Sequence, residues 1–111
     1  MRILLVDDDL PTLKAVSALL GAEGHAIDTA RDGASAIERL RESSYDVLIT
    51  DLVMPGMRGD ELTRRARALD AALRCVIISG QPRPRDAVPE AAVWLTKPLD
   101  VDLLLATLLA G

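Results

Sequence analysis

The sequence predicts an α/β fold: a doubly wound parallel sheet with helices on both faces. Three observations carry that expectation. Short aliphatic runs alternate with segments of helical period along the whole chain. Four of the five runs are apolar nearly throughout, as strands buried on both faces of a sheet must be. The length, 111 residues, suits one core, since roughly 100–200 residues is the usual extent of a domain. Alternation of this kind implies right-handed crossovers and helices on both sides.

Each element follows from local chemistry. Arg2–Val6 (RILLV) reads as the first strand and runs straight into Asp7, Asp8 and Asp9. Pro11–Ala22 has helical period, with Leu13, Val16, Leu19 and Leu20 on one stripe. Pro11 suits a first turn, where its missing N–H costs nothing, and Gly24 lies just past the end. His25–Thr29 (HAIDT) is the least apolar run and reads as an edge strand. Asp32 can cap a helix through about Glu42, with Ala36, Ile37 and Leu40 inward. Val47–Thr50 (VLIT) is the third strand. Gly59–Leu69 turns Leu62, Ala66 and Leu69 inward and leaves Arg64, Arg65 and Arg67 mostly outside. Cys75–Ile78 (CVII) and Val93–Leu95 (VWL) are the fourth and fifth strands, and Asp100 can cap a last helix through Leu109. Only 18 positions separate Ser79 from Lys97, and they contain Pro82, Pro84 and Pro89. That leaves room for one helical turn around Asp86 at most, so the helix before the fifth strand is expected to be short, irregular or missing. Five strands in a chain of this length predict the order 2-1-3-4-5, the flavodoxin-like arrangement.

Composition removes several classes of function. Half of the residues are apolar and 27% are charged, enough for a packed core and unlike a disordered chain. No apolar run approaches the ~18 residues of a membrane-spanning helix. MRILLVDDD is not a secretory signal, because the apolar stretch is too short and meets acids. The single cysteine, Cys75, excludes an internal disulfide and a cysteine zinc site and points to the reducing cytoplasm. A net charge of −4 gives no basic face for nucleic acid. Eleven arginines stand against two lysines, phenylalanine is absent, and Trp94 and Tyr45 are the only large rings.

The topology says where chemistry should lie. In open α/β sheets the site sits beyond the carboxyl ends of the strands, at the switch point between strands 1 and 3. Those ends carry Asp7, Asp8 and Asp9, then Asp51, Ser79 and Lys97. Asp7, Asp8 and Asp51 together would disfavour one another's ionisation unless a cation neutralised them. A set of oxygen ligands suits a hard ion such as Mg²⁺. With the Lys97 ammonium and the Ser79 hydroxyl beside it, such a site can accept a phosphoryl group on a carboxylate. Asp9 reads as a helix cap, His25 as a surface residue and Cys75 as core.

On these residues the chain, from Arg2 to about Leu109, resembles the receiver domain of two-component response regulators. The separated pieces are LLVDDD, YDVLITDLVMPGMRGDEL, VIISG and VWLTKPLD. The resemblance implies that residues 1–111 form one receiver domain and that Asp51 is the phospho-acceptor. It gives Asp7 and Asp8 the role of an acidic pair serving Mg²⁺ with Asp51, and makes the Val53 backbone carbonyl a further ligand. Ser79 falls at the family's switch position and Lys97 at its lysine. Pro98 matches the proline that follows a cis peptide bond, and Gly59 a glycine that opens the third helix. Trp94 stands where receivers usually carry Tyr, Phe or His, and so belongs to the switch with Ser79. A histidine kinase or a histidine phosphotransfer protein is the implied donor. The domain would catalyse its own phosphorylation and its own dephosphorylation.

Two departures mark the signalling face. One is the shortened stretch between Ser79 and Lys97. The other is the last helix, VDLLLATLLA, whose leucines at 103, 104, 105, 108 and 109 wrap more than one stripe. Surplus leucines there point to burial against a partner or a second copy of the chain. Because the sequence ends after that helix, the expectation is a receiver without an output domain, either stand-alone or cut from a hybrid kinase. The other readings are an inactive pseudo-receiver that binds without phosphoryl chemistry, and a small phosphatase or flavin-binding protein that shares only the architecture. The loops lack the glycine-rich phosphate cradle the last would need.

Overall fold

The computed structural model describes residues 1–84 and 93–110. Along them the chain forms β1 (Arg2–Val6), α1 (Leu10–Ala22), β2 (Ala26–Ala30), α2 (Gly33–Glu42), β3 (Val47–Asp51), α3 (Gly59–Leu69), β4 (Arg74–Ser79), β5 (Val93–Thr96) and α4 (Val101–Leu109). The strands are parallel and lie in the order β2-β1-β3-β4-β5, as the sequence predicts. The short helix expected around Asp86 lies outside the described residues. No helix among the described residues is long and apolar enough to cross a membrane.

The continuous aliphatic runs are explained by two cores, one on each face of the sheet. Ile3, Leu5, Val47, Ile49, Val76 and Ile78 pack against Leu13, Val16 and Leu20 of α1 and Leu104 and Leu108 of α4. The alternate residues Leu4, Val6, Leu48 and Cys75 pack against Ala36 and Ile37 of α2 and Leu62 and Ala66 of α3. Side chains alternate faces along a strand, so a strand serving both cores has no polar position to spare. At the edge, β2 starts and ends one residue later than expected. Three of its five residues are only half-buried, and its Asp28 accepts a 2.6 Å hydrogen bond from the hydroxyl of the buried Tyr45. Burial, and then that carboxylate, push the Tyr45 hydroxyl above its ordinary pKa.

Two inward assignments are corrected. Leu19 is 46% exposed and Leu69 49% exposed. Leu19 is displaced by about 100° from Leu20 on the helix, outside the narrow stripe of Leu13, Val16 and Leu20. Leu69 ends α3, and the fully buried Leu73 closes that end of the core in its place.

Helix ends are held by the residues the sequence marks. The Asp9 carboxylate accepts from the Thr12 N–H at 3.1 Å and from the Thr12 hydroxyl. Asp32 accepts from the Ser35 N–H at 2.8 Å, and Asp100 from the Leu103 N–H at 3.1 Å. The Thr12 bonds hold the Asp9 carboxyl below its usual range, and the Ser35 N–H does the same for Asp32. α4 has no basic residue in its last turn. Its terminal carbonyls are met from the sheet instead. Arg74, opening β4, donates to Thr107 O at 2.8 Å and to Leu108 O at 3.1 Å. A cation at a helix C-terminus with two charge-assisted bonds stabilises both ends of that contact. Arg74→Met keeps the stem and removes the donors. It should cost about 1–2 kcal/mol in a urea melt and raise amide exchange in the last turn of α4 first.

Candidate functional site

The carboxyl ends of β1, β3, β4 and β5 meet at one edge of the sheet. Asp7 follows β1, Asp51 ends β3, Ser79 ends β4 and Lys97 follows β5. Parallel register does this, since it places Asp51 beside Ile78 and Ser79 beside Thr96. Each of Asp7, Asp8 and Asp51 offers a carboxylate oxygen, and these oxygens lie within 4.8 Å of one another. Asp7 and Asp51 are buried, at 7% and 8% exposed, while Asp8 opens to solvent. The Lys97 Nζ lies 3.1 Å from Asp51 Oδ1, and the Leu52 N–H donates to the same oxygen at 3.0 Å. Both contacts converge on Oδ1. Oδ2 carries neither a hydrogen bond nor an ion pair among the described residues. Asp7, Asp51 and Lys97 also line a cavity of about 230 Å³ together with the apolar Leu5, Val16, Ile49 and Ile78.

Crowding shows in the protonation of Asp7. Burial raises its pKa, the 2.9 Å bond from the Asp9 N–H opposes the rise, and the Asp51 charge adds to it. The sign follows directly. A carboxyl whose folded pKa lies above its unfolded value of 3.8 destabilises the fold where it is ionised, and that penalty fades as pH falls through the raised value. Asp7→Asn should therefore raise the melting temperature of the metal-free protein by a few degrees at neutral pH, and the gain should shrink toward pH 4. An equal gain at both pH values would contradict this assignment of the strain.

Ser79, Lys97 and Trp94 are linked through the backbone. The Lys97 N–H donates to Ser79 O at 2.7 Å, and the Lys97–Pro98 peptide is cis. The Ser79 hydroxyl accepts from the Gln81 N–H at 3.1 Å, and the Trp94 indole N–H donates to Gln81 O at 2.9 Å. The indole also packs on Leu52 and Ile77. Ser79 and Trp94 thus grip opposite ends of the same residue. Val53 stands two positions past Asp51 with its side chain in solvent. His25 lies at the far end of the sheet beside the N-terminal amine, and Cys75 is fully buried.

Some groups at the site were not singled out from the sequence. They are the Leu52 N–H, the Gln81 peptide and the fully buried Thr50, whose hydroxyl donates to Asp51 O at 2.9 Å. Backbone groups leave no mark in residue type. Thr50 does leave one, being the only hydroxyl in the otherwise aliphatic run VLIT before an acid.

Fold and site together define a doubly wound α/β domain with an acidic site at its switch point. The family model for the response regulator receiver domain matches residues 3–109. The response regulator receiver protein CpdR of Brucella abortus is 39% identical over 101 residues, covering 87% of this chain and 84% of that protein. Protein PilH of Pseudomonas aeruginosa is 33% identical over 113 residues, covering 96% and 93%. The response regulator TrrA of Thermotoga maritima, solved in complex with Mg²⁺ and BeF, superposes with a TM-score of 0.92 at 27% identity, covering 98% of this chain and 96% of that one. The chain belongs to the response regulator receiver domain family.

Proposed function

We propose that residues 1–111 act as one phosphoryl-accepting receiver domain, modified on Asp51 with Mg²⁺ held by Asp7, Asp8, Asp51 and the Val53 carbonyl. The observation that carries this reading is the division of labour on Asp51. Lys97 and the Leu52 N–H engage Oδ1, while Oδ2 carries no such contact among the described residues and the carboxylate stands within 4.8 Å of those of Asp7 and Asp8. The donor set is all oxygen and two of its members are buried, which fits a hard divalent ion. When bound, the ion supplies charge neutralisation between the carboxylates and the incoming phosphoryl oxygens.

Receiver domains take their phosphoryl groups from histidine kinases or phosphotransfer proteins, and such a donor is proposed here. Asp51 Oδ2 forms the new O–P bond as the donor's P–N bond breaks, and the imidazole leaves with the electron pair and takes up a proton. Lys97, already 3.1 Å from Asp51, screens the developing charge. The Ser79 hydroxyl would donate to the product phosphoryl group. The same hydroxyl accepts from the Gln81 N–H, so a shift of Ser79 toward the phosphoryl group would pull on Gln81 and reach the Trp94 indole through Gln81 O. Hydrolysis of the acyl phosphate would use the same residues. A cytoplasmic location belongs to the same proposal, in keeping with a sequence whose single cysteine, Cys75, cannot form an internal disulfide.

The output surface is proposed on α4; the fourth-helix region expected to share it lies outside the described residues. Leu103 is 51% and Leu109 80% exposed, while Leu104 and Leu108 are buried, so two of the surplus leucines stand in solvent on either side of the buried stripe and offer apolar surface to a partner or a second copy. Sedimentation showing a monomer at high concentration, phosphorylated or not, would remove the second copy. No observation favours the pseudo-receiver, since the acceptor, lysine and hydroxyl positions are all filled. The decisive experiment is incubation with acetyl phosphate and Mg²⁺ followed by intact-mass measurement. One phosphoryl adduct, suppressed by EDTA, is expected. Absence of any adduct at saturating Mg²⁺ would overturn the reading.

A further inference from the structure

Asp51 is oriented from behind as well as from the front. The peptide joining Asp51 to Leu52 is a rigid plane, with a carbonyl at one end and an N–H at the other. Its N–H donates to Ile78 O at 3.0 Å and to Asp51 Oδ1, also at 3.0 Å. That single N–H therefore ties the acceptor carboxylate to the sheet. Its carbonyl accepts from the Thr50 hydroxyl at 2.9 Å. Thr50 and Asp51 sit on opposite faces of β3, so the hydroxyl acts from the α3 side while the carboxylate faces the site. On the α3 side the same carbonyl is closed off by Gly59, whose Cβ, were it present, would lie 2.2 Å from Asp51 O. The Gly59 N–H donates to Leu52 O at 2.8 Å, and the Thr63 hydroxyl donates to Gly59 O at 2.8 Å. Thr50 and Thr63 are both fully buried.

We infer that Thr50 is a positioning residue for phosphoryl transfer: by holding the Asp51 carbonyl it fixes the tilt of the peptide whose N–H aims the Asp51 carboxylate. Thr50 touches neither the carboxylate nor a phosphoryl group. Its influence passes through the planar peptide, since a rotation that frees the carbonyl swings the N–H off Oδ1. Buried donors and acceptors are almost always paired, so a hydroxyl in an aliphatic strand that serves one carbonyl is there for that carbonyl. Loss of the bond leaves the carbonyl unsatisfied and lets the peptide seek another partner. The resulting misaim of the attacking oxygen is small in distance but falls on the reacting atom, where displacement is expensive.

The inference rests on Asp51 being the acceptor, and the experiment separates the two. Thr50→Val is close in shape and deletes only the donor; Thr50→Ser keeps the donor and deletes a methyl. Phosphorylation by saturating acetyl phosphate with Mg²⁺ would be followed by intact mass, with Mg²⁺ affinity read by calorimetry and the fold by thermal melting. In Thr50→Val the rate should fall about fivefold, with Mg²⁺ affinity held within about twofold and with the Leu52 amide proton resonance shifted as its bond to Oδ1 lengthens. Thr50→Ser should return both rate and resonance toward the parent, although it packs less well. A purely structural role predicts the reverse order, because Ser leaves the larger void. A parent-like rate in Thr50→Val, or a serine variant no faster than the valine one, overturns the inference. Failure of the parent protein to form any adduct would instead overturn the reading of Asp51.

Discussion

Asp51→Asn should abolish the phosphoryl adduct completely while leaving the protein folded. The amide nitrogen's lone pair is delocalised into the carbonyl, and the side chain cannot form the acyl phosphate that a carboxylate oxygen forms. The remaining oxygen still accepts from the Leu52 N–H, the 3.0 Å contact that orients the native carboxylate. One negative charge leaves a cluster whose oxygens lie within 4.8 Å of one another, so repulsion on the buried Asp7 falls. The ion pair with Lys97 is lost, but the Lys97 side chain is 45% exposed and its contribution is screened. Intact mass with acetyl phosphate and Mg²⁺ reads the first effect, and a melt without Mg²⁺ reads the second. An adduct that persists in Asp51→Asn would move the acceptor to another group, the carboxylates of Asp7 and Asp8 being within 4.8 Å. A collapsed melt would show instead that the Lys97 pair holds the site together.

Much of this site is legible in residue types because topology does the assembly. Asp7, Asp51, Ser79 and Lys97 are distant in sequence. Each ends or follows an aliphatic run, and a parallel sheet of order 2-1-3-4-5 must bring such ends to one edge. The aliphatic runs were legible for the same reason, since a strand serving two cores has no alternation to misread. Legibility fails where the backbone acts. The Leu52 N–H on Asp51 Oδ1 and the Gln81 peptide between Ser79 and Trp94 belong to main-chain groups that every residue possesses. Exposure at helix ends fails too. Leu69 has the period of an inward residue, but Leu73, beyond the helix, takes the place it would have filled. Arg74 is a further case: nothing in a strand's first residue says that it will cap a helix thirty-odd positions later.

The same change, glycine to alanine, should have opposite signs at two positions. Gly21 lies in α1 with nothing within 4 Å of the place its Cβ would take. Alanine there gains helix propensity at no steric cost, and should stabilise by about 0.5 kcal/mol near the helix end. Gly59 also has helical backbone, since it opens α3 and has no positive φ. Propensity alone would again favour alanine. Its Cβ, however, would lie 2.2 Å from Asp51 O and 3.0 Å from both Asp51 C and Leu52 Cα, all of them backbone atoms. No side chain can rotate out of the way. Either α3 moves off the sheet, opening the packing of Leu62 and Ala66, or the Asp51–Leu52 peptide turns and takes the Asp51 carboxylate with it. The first route costs stability and the second costs transfer. Gly59→Ala should lose about 3 kcal/mol by urea melt with an unchanged m-value, together with most of the phosphorylation rate. Out of the 5–15 kcal/mol that typically holds a domain, this is large for one methyl group. A Gly59→Ala protein as stable as the parent would mean that α3 can leave the Asp51 carbonyl at no cost. The glycine would then be a matter of helix initiation, not of the close approach that brings a helix onto the backbone of Asp51.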